Sequence, residues 1–155
     1  MKKSISLEQA LPLMEELLES GNEVSFVPSG SSMLPLIHGS RDRITLKKPT
    51  CTLKKYDVPL YRRKDGAFVL HRIIGIGKNG YIMCGDHQTQ KEYPVSDEDI
   101  IAVMVSLERN GRHIDCGSKG YKLYSRVWTF IRPIRPFVFA CASIIFKIRS
   151  KIFGT

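Results

Sequence analysis

Residues 68–84 of this 155-residue chain read FVLHRIIGIGKNGYIMC. The stretch contains two β-type runs, 68–76 and 81–84, both rich in branched and aromatic side chains. A Lys-Asn-Gly turn at 78–80 separates them. Two such runs joined by a short glycine turn predict neighbouring antiparallel strands.

The same pattern continues on both sides of this stretch. Further β-type runs occupy 24–27, 43–46, 58–62 and 100–109. Glycine turns lie at 64–66 and 110–111. Many short strands joined by tight turns predict a mainly β domain, antiparallel and shaped as a barrel or a sandwich. We assign residues 23–118 to this domain.

A helical pattern precedes the β domain. Apolar residues recur at helical spacing between Ser6 and Ser20, and Gly21 stands where a helix stop belongs. These residues predict an amphipathic helix within residues 1–22. Pro12 lies inside the pattern, and we expect it to kink the helix or delay its start, because proline removes a backbone donor.

Charge divides the chain into two parts. Residues 1–118 hold 16 basic and 15 acidic side chains, whereas residues 119–155 hold 8 basic and no acidic ones. A nearly neutral body with a basic, aromatic and apolar tail favours an anionic membrane surface as the partner over nucleic acid.

The tail, residues 119–155, begins with a helical pattern that places apolar side chains on one face. These residues are Leu123, Val127, Phe130 and Ile131. The longest uncharged apolar run, 136–146, is shorter than the roughly 20 residues that span a bilayer. We therefore expect either an interfacial or re-entrant anchor, or a helix that packs its apolar face on the β domain.

The cysteines and the N-terminus exclude several classes of protein. The four cysteines, at 51, 84, 116 and 141, are widely spaced and lack paired histidines. They indicate reduced, mostly buried thiols and neither a zinc site nor a disulfide framework. Acidic residues follow closely after Met1-Lys2-Lys3, so the chain shows no cleavable export signal.

Ser32 and His71 are the residues whose chemistry fits together. A serine hydroxyl is a poor nucleophile at neutral pH, and imidazole has a suitable pKa to take its proton. Taken singly, each has an ordinary explanation. A Gly-Ser stretch after a strand is usually a turn, and a histidine in a β run is usually a core or surface residue.

The surrounding motifs occur in a defined order. GSSMLP (30–35) precedes RDR (41–43), and KYDV (55–58), HRII (71–74) and CGD (84–86) follow. This order resembles the clan of serine peptidases that contains signal peptidases and LexA-type repressors, over residues 24–107. The resemblance implies a coiled antiparallel β fold. His71 stands where bacterial members place a lysine base, which resembles the Ser-His signal peptidases of the endoplasmic reticulum and archaea.

The resemblance also implies a set of site residues. Ser32 would be the nucleophile and His71 the general base. Asp86 is our first choice to orient the imidazole, and Glu92 is the other candidate. Gly30 has no hydroxyl to offer, so the Ser32 amide would hold the oxyanion, supplemented by Ser31 or by another backbone donor. The remaining implied residues, which place the Ser loop and line the substrate cleft, are Met33 and Pro35.

These residues predict a membrane-associated serine endopeptidase that cleaves a leader or precursor peptide bound as an extended strand. We expect its catalytic domain on the cytoplasmic membrane face and expect no metal or organic cofactor. One alternative is a peptidase-fold module that binds a peptide without turnover. A LexA-like regulator that cleaves itself is disfavoured, because only about 20 residues precede the first strand, too few for a DNA-binding domain.

Overall fold

The computed structural model describes residues 7–137, with side chains from residue 10 onward. The elements follow in the order α1 (Leu7–Glu19), β1 (Val24–Phe26), β2 (Arg43–Lys47), β3 (Pro59–Arg62), β4 (Phe68–Leu70), β5 (Arg72–Gly77), β6 (Gly80–Cys84), β7 (Glu92–Val95), β8 (Ile100–Arg109), β9 (Arg112–Asp115) and α2 (Lys119–Phe130). Short 3₁₀ turns lie at Asp97–Asp99 and Arg132–Ile134. The predicted N-terminal helix is present, and Pro12 lies within it.

The strands form two antiparallel sheets. The larger sheet has the order β1-β2-β8-β3-β4, and β9 pairs with the distal half of β8. The smaller sheet has the order β5-β6-β7. The mainly β, antiparallel prediction is confirmed. Within residues 7–137 the sheets do not close into a barrel, because β1 and β4 each pair with one neighbour only.

The predicted run 68–76 is two strands and not one. It breaks at His71, where the chain leaves β4 in the larger sheet and enters β5 in the smaller sheet. Leu70 packs against the core of the larger sheet, whereas Ile73 is buried in the core of the smaller sheet. His71 therefore lies at the crossing between the two sheets.

The larger core also holds the N-terminal helix. Met14 and Leu18 of α1 are buried against Ile44 and Leu46 of β2 and Leu60 of β3. Burying these apolar side chains attaches α1 to the sheet beside β1. The predicted amphipathic helix thus buries part of its apolar side in this core.

The C-terminal helix α2 turns its apolar side away from the β domain. Its inner face presents Tyr121 and Ser125, which are 8 % and 1 % exposed. Leu123 and Phe130 are 63 % and 84 % exposed. The alternative in which the apolar face packs on the β domain is therefore wrong for these residues. The contact is made by Tyr121, which joins the larger core, and by Ser125, which accepts a hydrogen bond from Arg72. Residues 138–155, which contain most of the 136–146 run, lie outside the described residues.

No helix within residues 7–137 combines the length and the apolar character that crossing a bilayer requires. Of the cysteines in this range, Cys51 is exposed, Cys116 is partly buried and Cys84 is buried. Cys141 lies outside the described residues.

Candidate active site

Ser32 lies in a long loop between β1 and β2 that folds back on itself. The Ser40 amide donates to the Pro28 carbonyl at 2.7 Å. A side chain at Gly39 would place its Cβ 2.1 Å from the Gly30 carbonyl oxygen, so the two arms of the loop touch only because residue 39 is glycine. Gly30 itself has φ of +88°, a conformation that favours glycine. The loop thus presents Ser32 on a tight, backbone-defined turn.

The second half of this Ser loop is held by a buried carboxylate. Asp42 is fully buried and accepts hydrogen bonds from the His38 amide and from the Arg41 and Arg109 guanidiniums. Burial opposes ionisation of Asp42, but these hydrogen bonds outweigh it and hold its pKa below the ordinary value. Arg109 also donates to the carbonyl of Pro35 at 3.1 Å. This pair connects the Ser loop to the end of β8.

His71 is 1 % exposed, and its Nδ1 faces two oxygens. Glu92 Oε1 and the Tyr61 hydroxyl each lie 3.1 Å from Nδ1. The Tyr61 hydroxyl donates its own proton to Glu92 Oε2 at 2.8 Å, so both oxygens act as acceptors toward the imidazole. Nδ1 therefore carries the proton, and the lone pair of the ring is on Nε2.

Glu92 is held in place by a cation. Arg63 Nε donates to Glu92 Oε2 at 2.7 Å, and Arg63 Nη2 pairs with Oε1. Burial raises the pKa of Glu92, but the hydrogen bonds from Arg63 and Tyr61 lower it by more. The pKa therefore lies below its ordinary value. Glu92 is thus a carboxylate at neutral pH.

The pKa of His71 lies below its ordinary value of 6.5. Burial is the main cause, because it disfavours the charged imidazolium. The Glu92 carboxylate raises this pKa, and the Arg63 cation lowers it. The imidazole is therefore neutral at pH 7, which is the state that a general base requires.

Ser32 and His71 line the same cleft, which has a volume of about 810 Å³. Its walls include α1, the chain leaving β1, and β4. The hydrogen bonds within residues 7–137 include none between the Ser32 hydroxyl and His71. Such bonds are often long or absent before a substrate is bound. Gln88, from the loop between β6 and β7, adds a side-chain amide to the cleft.

The loop between β6 and β7 packs directly on the Ser32 backbone. The His87 amide donates to the Ser32 carbonyl at 2.8 Å. A Cβ at Gly85 would lie 2.6 Å from that same carbonyl oxygen and 2.9 Å from Gln88 Oε1. Glycine at position 85 is what permits this close approach.

The Asp86 carboxylate is paired with Arg72. Arg72 Nε and Nη2 donate to its two carboxylate oxygens at 2.9 and 2.7 Å, and both residues are at most 1 % exposed. Burial lowers the pKa of Arg72, but the Asp86 charge outweighs it and holds this pKa above the ordinary value. The structure brings Glu92 into contact with His71, whereas the Asp86 carboxylate forms an ion pair with Arg72.

Of the other expected site residues, one lines the cleft and two lie outside it. Met33 lines the cleft and is 4 % exposed, so it also belongs to the core. Ser31 and Pro35 are exposed and lie outside the cleft lining. The Ser32 amide donates no hydrogen bond to the described residues, so it is free to hold an oxyanion.

Several residues of the site were not predicted from the sequence. Tyr61 and Arg63 both donate hydrogen bonds to Glu92. They are two residues apart on β3 and its extension, so their side chains point to the same side. This period-two spacing was visible in the sequence, but nothing there connects it with Glu92. Gln88 and Arg109 likewise act through contacts between distant parts of the chain.

Neither a protein-family model, nor a curated protein, nor a solved structure matches this chain. No group of His, Cys, Asp and Glu side chains within residues 7–137 is arranged to hold a metal ion. We therefore infer the function from the site itself.

Proposed function

We propose that this chain is a serine endopeptidase of the Ser-His type, similar to signal peptidases. The observation that carries the proposal is the buried His71, whose Nδ1 is held by Glu92 and whose cleft also contains Ser32. A histidine oriented by a carboxylate beside a serine on a tight turn is the arrangement that activates a serine hydroxyl.

The proposed reaction needs only these groups and water. Ser32 Oγ attacks the carbonyl carbon of the peptide bond while His71 Nε2 takes the hydroxyl proton. The imidazolium, stabilised by Glu92, gives that proton to the leaving nitrogen as the C–N bond breaks. Water then attacks the acyl carbon and gives a proton to Nε2. The bond between the acyl carbon and Ser32 Oγ breaks as Nε2 returns that proton to Oγ, which releases the acid product and restores Ser32.

The oxyanion of each tetrahedral intermediate needs hydrogen-bond donors. We assign this role to the Ser32 amide, which is free, and to the side-chain amide of Gln88, which lines the cleft. Gly30 offers no hydroxyl, and Ser31 lies outside the cleft lining. In this proposal the Gln88 amide supplies the hydrogen bond that a serine hydroxyl supplies in many signal peptidases.

The cleft suits an extended peptide. Phe26 and the residues after it form one wall, and the β4 residues Phe68–Leu70 form another. These two segments come from opposite edges of the larger sheet, and within residues 7–137 each edge strand pairs on one side only. An extended leader or precursor peptide would add to such an edge through backbone hydrogen bonds.

A fluorophosphonate probe tests the proposal, because it labels only an activated serine. We expect the wild-type protein to be labelled, and we expect Ser32→Ala and His71→Ala to lose labelling. Ser31→Ala is the matched control, because Ser31 is adjacent to Ser32 in the sequence but lies outside the cleft lining. This control should label like the wild type.

Two results would contradict the proposal. Labelling that survives in Ser32→Ala would place the nucleophile elsewhere. A folded wild-type protein that is never labelled, although it binds extended peptides, would favour the binding module without turnover.

A further inference from the structure

The outer face of α2 is an apolar stripe that is at least half exposed to solvent. Leu123, Val127 and Phe130 are 63 %, 50 % and 84 % exposed. Their spacing of four and then three residues aligns them along one side of the helix. Ile134 and Phe137, at 53 % and 74 % exposed, continue the same spacing beyond the helix. We call these five residues the outer face.

The exposed charges of α2 itself are all basic. Residues 119–137 contain five basic and no acidic side chains. Lys119, Lys122 and Arg126 are exposed and share α2 with the stripe. A second copy of this chain docked here would bring these cations against their own kind with no carboxylate between them. An anionic surface complements both the charge and the apolar stripe.

The inner face of α2 prevents the helix from turning its stripe inward. Ser125 Oγ accepts a hydrogen bond from the buried Arg72 at 2.9 Å. The Trp128 indole donates to the Asp86 carbonyl at 3.1 Å, and Arg135 donates to that same carbonyl at 3.0 Å. Rotating the helix would leave these buried polar groups without partners. The outer face is therefore held toward solvent.

We propose that the outer face of α2 docks on an anionic lipid bilayer and lies in its interface. The apolar stripe enters the boundary of the acyl chains, and the flanking cations contact lipid headgroups. The sequence alone left open whether this apolar side covers the β domain. This inference is independent of the peptidase assignment, because it involves neither Ser32 nor His71.

Vesicle flotation of the full chain tests the proposal. We expect the wild type to float with phosphatidylcholine vesicles that contain phosphatidylglycerol, and to bind much less to phosphatidylcholine alone. The double variant Leu123→Ser/Phe130→Ser should lose at least about tenfold in partition coefficient. Replacing Lys119, Lys122 and Arg126 with Gln should lose about 10²-fold, at roughly fivefold per charge.

Leu13→Ser is the matched control. Leu13 is 62 % exposed on α1, almost the same as Leu123, and should leave flotation unchanged. All variants keep residues 138–155, so a loss reports on α2. Flotation of the double variant equal to the wild type overturns the proposal, as does equal loss in Leu13→Ser or failure of the wild type to bind anionic vesicles. A wild-type dimer in sedimentation that becomes a monomer in the double variant overturns it in favour of a second copy.

Discussion

At the scale of single residues, the site is a balance of charges around one imidazole. Burial keeps His71 neutral, Glu92 favours its protonation, and Arg63 opposes it. Glu92 therefore has two effects: it fixes the tautomer through Nδ1 and it steadies the imidazolium as it forms. Neither effect requires Glu92 to gain a proton.

Glu92→Gln should show both effects in the rate of fluorophosphonate labelling. The rate at neutral pH should fall by roughly 10²–10⁴, the usual contribution of an effective general base. The acid limb of the pH profile should move to lower pH, because the variant loses a charge that raises the pKa of His71 and keeps the Arg63 cation that lowers it.

The control for that experiment is Glu98→Gln, which changes an exposed glutamate in the 3₁₀ turn. It should leave both the rate and the acid limb unchanged. An acid limb that moves to higher pH in Glu92→Gln would contradict the assigned role of Glu92.

At the scale of elements, the Arg72 and Asp86 pair joins parts of the chain that are far apart in sequence. Arg72 begins β5, and Asp86 lies in the loop after β6. Arg72 also donates to Ser125 of α2 and to the Tyr56 carbonyl. The amide of the next residue, His87, donates a hydrogen bond to the Ser32 carbonyl, so the pair connects α2 to the Ser loop.

This pair should therefore act on stability. Asp86→Asn should cost about 3–5 kcal/mol of unfolding free energy in urea titrations, since it leaves a buried cation without its carboxylate. Combining it with Arg72→Met should cost less than the sum of the two single changes, because neither charge is then left alone.

The comparison pair for that experiment is Arg62 and Glu15, whose charged atoms lie 3.7 Å apart with both side chains about half exposed. Glu15→Gln should cost less than about 1 kcal/mol. If Asp86 were instead the group that orients His71, Asp86→Asn would slow labelling at neutral pH as strongly as Glu92→Gln and leave the unfolding midpoint nearly unchanged.

At the scale of the whole molecule, the buried Asp42 and His71 and the partly buried Glu92 should make the fold sensitive to acid. The pKa values of Asp42 and Glu92 are lowered in the folded state, so their stabilisation is present above their ordinary values of 3.8 and 4.5 and is lost as the pH falls. The pKa of His71 is also lowered, so below its ordinary value of 6.5 the unfolded chain binds a proton that the folded chain does not. All three effects have the same sign.

Urea titrations between pH 8 and 4 should therefore show stability falling with pH. The first loss should begin near the ordinary histidine value of 6.5. His71→Gln should remove this first step, whereas His113→Gln, an exposed control, should keep it. Stability that rises as the pH falls from 7 to 5 would contradict this account of the buried groups.

Local patterns predicted much of the architecture. Period-two runs and glycine turns placed most of the strands, and the helical spacing of apolar residues placed α1. Strands β7 and β9 were missed because they are short, and Pro94 and the charged ends of β9 weaken the β pattern. The break at His71 was missed because residues 68–76 contain no turn signal and resemble one long strand. Only the two separate cores divide this run into β4 and β5.

The sequence by itself determined the fold class, the pairing of a possible nucleophile with a possible base, and the separation of charge between body and tail. Only the tertiary structure decided that Glu92 contacts His71 while Asp86 pairs with Arg72, and which face of α2 stays in solvent. The physical reason is that strand period and charge are properties of neighbouring residues. A hydrogen-bond partner or a buried face depends on which distant segments the sheets bring together.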